Sequence, residues 1–491
     1  MAVQAGRLEA GLAAGSDRGR GGAALVFACV LVLLIIVGPR LLADPDTQWH
    51  VAVGARIWQE GRVPWTDAFS HTFAGAPWIA KEWLSQIVYY VIWRLAGWSG
   101  VVALTATTIA LVLALLYGWL AERCRALPAL ALTLLASVLL APHALARPHV
   151  LAFLPLLLWA RGLVDALERE RAPSLWLLAV IALWANLHGS FTVAYPIAAF
   201  LALEAILRAR PDERIETIVR WAAFGALALA AGCLTPYGIH ALLITFTLLG
   251  GGEALPYITE WQPLGWSLIG AIAGASALAL GLVLLADGRR SAVRLALLVV
   301  LTCLMIRHVR FVDVFALVAP FLVAAPLVRR FPELGPERLG PSRSWTVFAR
   351  ATCVLAALAS VAALTWRPPH PDPAVTPRAA LAAARQAGLS GPVYNGYSFG
   401  GFLIAEGVPT FLDGRTDQLF LGGFISTLDR LSKAEDGAAF LDFVARRGAT
   451  WAIVETEAPE VRHFERSGAW RRLHCDAVAS VYAKELRGAL D

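Results

Sequence analysis

Charged residues are scarce in this chain. Only 16% of its 491 residues are Asp, Glu, Lys or Arg, whereas 58% are hydrophobic and the mean hydropathy is +0.62. This balance excludes a single soluble core, because repeated apolar runs of about 18 residues or more are typical of transmembrane helices. The composition therefore predicts a protein that crosses a lipid bilayer several times.

Signals of several other protein classes are missing. The six cysteines stand singly, without a Cys-x-x-Cys pair or a Cys/His spacing for zinc, so we interpret them as small apolar residues. No basic cluster is interleaved with aromatic residues, and nucleic acid is therefore not an expected partner. The sequence contains no internal repeat.

Apolar runs at eleven places predict eleven spans. They cover residues 23–42, 98–120, 127–145, 148–165, 174–188, 190–207, 217–234, 264–286, 291–306, 311–328 and 346–366. Arginines precede the first run, but this run is long for a signal peptide and no small-x-small cleavage site follows it. We therefore expect an uncleaved membrane anchor.

Arginine is concentrated in every second connection between the spans. With a cytoplasmic N-terminus, the five inner connections hold Arg123, Arg125, Arg169, Arg171, Arg208, Arg210, Arg214, Arg220, Arg289, Arg290, Arg294, Arg329, Arg330, Arg338 and Arg343. Short connections rich in Lys or Arg stay in the cytoplasm. We therefore predict a multi-pass protein of the bacterial cytoplasmic (inner) membrane, with a periplasmic or extracellular C-terminal domain.

Residues 83–96 are apolar but short. If they crossed the membrane, every later arginine-rich connection would move to the outside. We interpret them as an interfacial or half-inserted helix, with Trp83, Ile87 and Val91 on one face. An alternative with twelve spans, in which this segment crosses, stays open.

The first outer loop, residues 43–97, is expected to contain a second interfacial helix. This helix covers 47–60, with Trp49, Val53 and Ile57 on its buried stripe and a glycine at its C-terminal end, Gly61. The loop belongs to the predicted transmembrane domain, residues 1–366.

The composition changes after Trp366. Residues 367–377 are proline-rich and indicate a linker, and residues 378–491 have the composition of a soluble domain. Patterns there predict helices at 378–387, 422–433 and 438–447 and strands at 392–395, 408–412, 450–455 and 478–483. The predicted fold is thus mainly α, a polytopic transmembrane helix bundle followed by a small α/β domain.

Two aspartates, Asp44 and Asp46, follow the first span directly. A carboxylate at the boundary between water and membrane can act as a general base on an attacking hydroxyl. Two carboxylates this close could also hold a divalent cation such as Mg²⁺ or Mn²⁺. The alternative is that both residues only end the first helix and pair with nearby arginines.

Further polar residues fall in the predicted outer connections. They are His50, Glu82, Arg147, His149, His188, Glu260, Arg307 and Arg310. The planar donors of arginine match a phosphate, and residues 307 and 310 lie on one helical face. The alternatives are pairing of the arginines with Asp313, Asp46 or lipid headgroups, a packing role for the histidine at 188, and acids that merely flank interfacial tryptophans.

The C-terminal domain holds a second polar motif. Asp413 and Arg415 follow the strand predicted at 408–412, after the Tyr397-Ser398-Phe399-Gly400-Gly401 run. Ends of adjacent strands form a natural ligand crevice. The alternative is a plain turn, since Asn-Gly and Asp-Gly are common turn pairs and the glycines here lack Walker and dinucleotide-binding spacing.

The layout resembles the GT-C class of polytopic glycosyltransferases. Asp44-Pro45-Asp46 with His50 looks like the first acidic motif of the oligosaccharyltransferase catalytic subunit and of the protein-mannosyltransferase and aminoarabinose-transferase groups. The later Phe411-Leu412-Asp413-Gly414-Arg415 run is similar to the acceptor-recognition region of oligosaccharyltransferase. It lacks that family's Trp-Trp-Asp triplet, so the resemblance does not extend to recognition of a peptide acceptor.

This resemblance implies an activity. The donor would be a polyprenyl-linked sugar, and the acceptor a hydroxyl on a lipid, polysaccharide or protein. Asp46, or else Asp44, would serve as base, while Arg147, Arg307 and Arg310 would hold the carrier phosphate. The opposed hypothesis is a non-enzymatic membrane protein, such as a transporter or an envelope-glycan assembly factor, which acids buried in mid-span would favour.

Overall fold

The computed structural model describes residues 20–250, 255–336 and 343–485. The chain divides into two compact units, each described here by itself. The helical unit comprises Met1–Leu41, Ser99–Leu243 and Glu260–Pro369. The composite unit comprises Leu42–Trp98, Ile244–Thr259 and His370–Asp491.

Eighteen α-helices and four strands follow one another along the described residues. The helices are α1 (Arg20–Ile36), α2 (Asp46–Glu60), α3 (Trp83–Ala121), α4 (Ala126–Leu140), α5 (Pro148–Glu168), α6 (Trp176–Leu187), α7 (Ala194–Arg208), α8 (Arg214–Gly232), α9 (His240–Gly250), α10 (Leu268–Ala286), α11 (Ala292–Arg307), α12 (Val312–Arg330), α13 (Arg343–Trp366), α14 (Arg378–Gln386), α15 (Gly400–Ala405), α16 (Phe424–Lys433), α17 (Ala438–Ala445) and α18 (Val461–Arg466). The strands are β1 (Val393–Asn395), β2 (Trp451–Glu455), β3 (Trp470–Cys475) and β4 (Ala479–Lys484).

Within the described residues, eight helical stretches are long and apolar enough to cross a membrane. They are Trp83–Ala121, Ala126–His143, Pro148–Glu168, Gly189–Arg208, Arg214–Gly232, Leu268–Ala286, Val309–Arg330 and Ser344–Trp366. Three shorter helices, α1, α6 and α11, lie at the remaining predicted spans. A helix therefore stands at every predicted span, but only eight of these eleven are long and apolar enough to cross a membrane, and α9 is a further helix outside the predicted spans.

The outer surface of the helical unit is apolar. Helix α12 lies inside the unit, with 72% of its most apolar window buried, whereas α13 has only 17% buried. Large side chains on the exposed faces of α10 and α13 include Leu278, Leu282, Leu355, Leu358 and Val361. Such a surface is stable in hydrocarbon and not in water, so the helical unit is the membrane-embedded part.

The predicted inner connections meet one another in the helical unit. Side chains or backbone atoms join Arg123 to Asp165, Arg208 to Arg290, Arg329 to Asp287 and Arg125 to Leu334, at 2.5–3.2 Å. The connections that the arginine pattern assigns to one side of the membrane therefore lie together at one end of the bundle.

The composite unit is built around a small mixed sheet of strand order β1-β2-β4-β3. Strand β1 runs parallel to β2, and β4 is antiparallel to both β2 and β3. Helix α2 from the first loop shares the larger hydrophobic core of this unit, where Trp49, Val53 and Ile57 pack with Phe411 and Phe424. The predicted stripe of α2 is confirmed, as is Gly61 at its end, in the left-handed conformation with φ 65°.

Helix α3 is broken where the two units meet in the sequence. Ala96 and Gly97 have non-helical backbone angles, and the glycine, at φ 59° and ψ −153°, adopts a conformation that other residues avoid. The segment before this break belongs to the composite unit and the segment after it to the helical unit.

Residues 83–96 bury a different face from the one that carries Trp83, Ile87 and Val91. Trp83, Ile87 and Val91 are only half-buried, whereas the fully buried side chains are Ser85, Gln86, Tyr89 and Tyr90. The reason is a close helix crossing at Gly54 of α2. A Cβ at that glycine would overlap the carbonyl group of residue 86, so α2 draws in the polar face of α3 rather than its apolar stripe.

The strand predicted at 408–412 is wrong. This segment forms only an isolated bridge, between Thr410 and Ser70 of the first loop. Its backbone bonds elsewhere: Thr410 N donates to the Phe69 carbonyl at 3.0 Å, and Phe411 N donates to the Asn395 side chain at 2.8 Å. Strand β3 and helices α15 and α18 were not predicted, because they are short and lack a regular apolar pattern.

The proline-rich segment 367–377 lies between the last apolar helix and the C-terminal domain. It contains a short 3₁₀ helix, Pro373–Val375, whose first turn is capped by the Asp372 side chain. The Asp372 N–H also donates to the Leu42 carbonyl at 3.3 Å, so this segment contacts the beginning of the first loop.

Candidate functional site

The acidic pair stands at the N-terminus of α2. Asp44 precedes the helix, and its Oδ1 accepts a hydrogen bond of 2.7 Å from the Asp46 N–H. Asp46 is the first helical residue, and its Oδ1 accepts a bond of 2.9 Å from Trp49 Nε1. Both carboxylates are buried, at 6% and 7% exposure. The positive end of the helix dipole favours negative charge at this place.

Two more predicted residues lie beside this pair. The His50 ring lies against the Trp49 ring, with 3.6 Å between centroids and a tilt of 34° between the ring planes. Its Nδ1 is 3.9 Å from Glu82 Oε2 and 3.3 Å from Gln86 Nε2. The Asp46 carboxylate bonds the same tryptophan. The structure therefore brings together four sequence-predicted residues, at 44, 46, 50 and 82, which come from α2 and the turn before α3.

Three buried polar side chains beside the acidic pair were missed by the sequence analysis. Among the described residues, Thr47 Oγ1, Gln48 Nε2 and Gln86 Oε1 are buried without a hydrogen-bond partner. Thr47 is three residues before His50 and shares its helical face. A buried polar atom left unpaired costs about 1–3 kcal/mol. The signal available in the sequence was the run of polar residues at the start of α2, directly after the acidic pair.

Asp413 and Arg415 form a buried ion triad with Asp67 of the first loop. Arg415 donates from Nε and Nη2 to the two Asp413 carboxylate oxygens, both at 2.7 Å, and from Nη1 to Asp67 Oδ1 at 2.5 Å. The guanidinium also lies 5.2 Å from the Phe69 ring centroid and 5.0 Å from that of Trp78. All three charged side chains are at most 3% exposed.

Burial by itself would lower the pKa of the Arg415 guanidinium. Asp413 and Asp67 outweigh this effect and raise that pKa above its ordinary value, so the arginine stays charged. The three side chains of the triad bond to one another. Residues 408–412 do not form a strand, so the crevice predicted at the end of that strand is not formed there. The geometry favours a role in joining the first loop to the C-terminal domain over direct contact with substrate.

A second group of predicted residues lies in the helical unit. Arg147 forms an ion pair with Glu260, and Arg310 lies over the Trp261 ring at 4.3 Å. Burial works against the charge of Glu260, but the adjacent arginines 147 and 310 prevail and lower the pKa of this carboxyl to about 2. Arg307, at the end of α11, is exposed.

Three histidines of the helical unit are neighbours. His149 is 6.3 Å from both His143 and His188 between ring centroids, and its Nε2 is 2.8 Å from the His143 carbonyl oxygen. The His188 side chain caps the 3₁₀ helix Gly189–Val193 through Ser190. This contact matches the packing role considered for residue 188.

The acidic pair provides two carboxylates for a divalent cation. Among the described residues, no group of three His, Cys, Asp or Glu side chains is arranged to hold a metal. Mg²⁺ commonly keeps several waters and takes one or two carboxylates together with substrate phosphates. A divalent cation held by Asp44 and Asp46 in that manner stays a prediction.

Searches by sequence and by structure gave different results. No protein-family model and no curated protein matches the sequence. The archaeal oligosaccharyltransferase AglB from Archaeoglobus fulgidus, in complex with an inhibitory peptide and a dolichol-phosphate, superposes with a TM-score of 0.52 at 13% identity, covering 96% of this chain and 74% of that one. The apo form of an oligosaccharyltransferase from the same organism gives 0.55 at 13% identity, covering 89% and 69%. ArnT from Cupriavidus metallidurans bound to undecaprenyl phosphate gives 0.43 at 14% identity, covering 94% and 98%.

The chain is therefore similar in fold to archaeal oligosaccharyltransferase along most of its length. The predicted fold class, a polytopic helix bundle with a small C-terminal α/β domain, is confirmed.

Proposed function

We propose that this protein is a glycosyltransferase of the bacterial cytoplasmic membrane. It moves a sugar from a polyprenyl-phosphate-type donor to a hydroxyl acceptor on the outer face, where the acceptor is a lipid, a polysaccharide or a protein. The observation that carries this proposal is the buried acidic pair at the N-terminus of α2, in a chain with a GT-C-type fold.

Asp46 is the residue proposed as general base. A carboxylate that removes a proton from an attacking hydroxyl needs a fixed orientation and protection from bulk water. The Trp49 indole N–H fixes one oxygen of the Asp46 carboxylate, and Asp46 is only 7% exposed to solvent. Asp44 bonds the first N–H of the helix and supports this arrangement.

Thr47 and Gln86 are suited to bind hydroxyl groups near this base. Their unpaired Oγ1 and Oε1 atoms are buried next to His50, so a ligand with hydroxyls would relieve the cost of leaving them unpaired. If the oxygen and nitrogen of the Gln86 amide were exchanged, the nitrogen would be the unpaired atom instead. A hydroxyl could pair with the oxygen or with the nitrogen. A sugar offers such hydroxyls in number.

The arginines of the helical unit are proposed to hold the donor phosphate. Arg147, Arg307 and Arg310 bring three positive charges to the predicted outer connections, and the paired acid Glu260 offsets one of them. A guanidinium binds phosphate through two parallel hydrogen bonds. A phosphate that leaves with its lipid carrier would be stabilised by such groups.

Buried acids of the helical unit do not favour the transport hypothesis. Glu204 is 2% exposed, but it lies near the end of α7 and pairs with Arg208 and with Arg294, at 3.0 Å from the Nε of the latter. Pairs at helix ends hold neighbouring helices together. A transport pathway would instead need ionisable groups facing a wet cavity in mid-span.

A deletion strain provides the cellular test. Its surface glycans are compared with those of the same strain carrying wild type, Asp46→Asn or Asp442→Asn at equal membrane abundance. The second aspartate is 55% exposed in an i,i+4 ion pair on α17 and serves as the matched control. We expect wild type and Asp442→Asn to restore the missing glycan and Asp46→Asn to fail. Full restoration by Asp46→Asn would contradict the proposal.

A further inference from the structure

Gly414 lies directly against the Asp46 carboxylate. A Cβ built at this glycine would be 2.7 Å from Asp46 Cγ and 3.1 Å from its Oδ2, and closer still to Oδ1. Real Cβ atoms essentially never come within 3.0 Å of another group. The backbone at 414 does not have a positive φ. The glycine is therefore needed for space, and the space is that of the acid proposed as base.

A second glycine of the C-terminal domain contacts the same motif. A Cβ at Gly401 would overlap the Pro45 carbonyl and lie 3.4 Å from Trp49 Cδ1. This glycine belongs to α15, which packs on α2. Two backbone segments, more than 350 residues away in sequence from the acidic motif, thus approach it too closely for any side chain.

The segment around Gly414 is held rigidly from both sides. Asp413 accepts hydrogen bonds from the Arg415 N–H at 3.1 Å and from Thr410 Oγ1 at 2.8 Å. The Arg415 guanidinium extends from this segment to Asp67 of the first loop. A backbone fixed in this way resists moving aside for a larger side chain, so the Asp46 carboxylate would have to shift instead.

We infer that the Asp413-Gly414-Arg415 segment is a positioning element for the Asp46 carboxylate. Its backbone lies closest to Oδ1, the same carboxylate oxygen that the Trp49 indole bonds, so one orientation of the carboxylate is kept. The C-terminal domain thereby completes a site whose charged residues come from the first loop. This inference rests on the proposed function of Asp46.

Gly414→Ala is the direct test, with Gly468→Ala as control. A Cβ at 468 meets no atom within 4 Å, and that glycine lies in the same domain without a positive φ. Displacement of a reacting group by about 1 Å can cost on the order of 10²-fold in rate. We expect Gly414→Ala to lower kcat at least about 10-fold, with KM for the donor changed less than about 2-fold.

The rates are expressed per molecule of protein that elutes as a single monodisperse species, so a folding defect does not count as a loss of kcat. The same preparations give pH profiles, in which a positioning role predicts a shift of the acidic limb for Gly414→Ala and none for Gly468→Ala. Arg415→Lys keeps the positive charge but loses the planar guanidinium that bonds both Asp413 and Asp67. We expect it to lower kcat less than Gly414→Ala does. Equal kcat for the two alanine variants would overturn the inference.

A measurement without activity separates this inference from the proposed function. In a cysteine-free background, Asp46→Cys with Gly414→Cys should form a disulfide under mild oxidation, whereas Asp46→Cys with Gly468→Cys should not. Absence of the first crosslink would overturn the inference whatever the enzyme does. If the crosslink forms but the wild-type protein transfers no sugar, the result contradicts the proposed function instead.

Discussion

The two units bury charge in different ways. In the helical unit, the fully buried Arg294 pairs with Glu204, and both lie near the ends of their helices. In the composite unit, Arg415 joins Asp67 across 348 positions of sequence. One arrangement ties neighbouring helices together, whereas the other joins the first loop to the C-terminal domain. The comparison shows that the acidic motif belongs to a unit whose parts are far apart in the chain.

Breaking the ion triad gives the largest expected effect. Arg415→Ala leaves Asp67 and Asp413 buried without their cation, and removal of one partner of a buried pair costs about 3–5 kcal/mol. We expect a clear drop in thermal stability, measured by fluorescence-detected size exclusion after heating. Asp442→Ala breaks an exposed pair with Arg446 and should change stability by no more than about 1 kcal/mol. Equal effects of both variants would contradict a joining role for the triad.

The surfaces of the two units should respond differently to charge. Leu358 on α13 is 62% exposed on the apolar surface of the helical unit, and Leu421 of the composite unit is 42% exposed. A lysine near the centre of a membrane helix costs about 2.5–3.5 kcal/mol. Leu358→Lys should therefore lower membrane-inserted protein severely and Leu421→Lys only slightly, as quantified by immunoblot of washed membranes. Normal insertion of Leu358→Lys would place α13 outside the hydrocarbon.

Removal of one unpaired polar atom should affect binding and not folding. Thr47→Val keeps the shape of the side chain and removes an unpaired hydroxyl, so the free protein should be as stable as wild type or slightly more stable. Loss of one hydrogen bond of about 1 kcal/mol to substrate raises KM for the donor roughly 5-fold. An unchanged KM would remove this hydroxyl from the binding site.

The last prediction concerns a pH-dependent effect at the acid of the helical unit, Glu260. Its folded-state pKa is lowered from 4.5 to about 2, chiefly by Arg147 against the cost of burial. A lowered carboxyl pKa contributes stability that is present above about pH 4.5 and is lost as pH falls through about 2. The difference in thermal midpoint between wild type and Glu260→Gln should therefore be constant from pH 5 to 8 and shrink between pH 4.5 and 3. A difference that changes between pH 6 and 8 would contradict this assignment.

Much of the helical unit follows from the sequence, because apolar runs and arginine-rich connections are local signals. The composite unit was harder to predict. The segment 408–412 looks like a strand, yet its hydrogen bonds go to Phe69 and Asn395, and no local pattern records such remote partners. For the same reason, the acids 44 and 46 could be predicted as a motif, whereas the close approach of Gly414 could not.

The central claim is that Asp46 is the base of a sugar transfer. The most direct test uses purified protein in lipid vesicles, with a labelled polyprenyl-phosphate sugar as donor and a hydroxyl-bearing glycolipid as acceptor. General bases contribute about 10²–10⁴-fold to rate, so Asp46→Asn should lower turnover by that factor while Asp442→Asn equals wild type. Equal turnover of Asp46→Asn and wild type would contradict the claim.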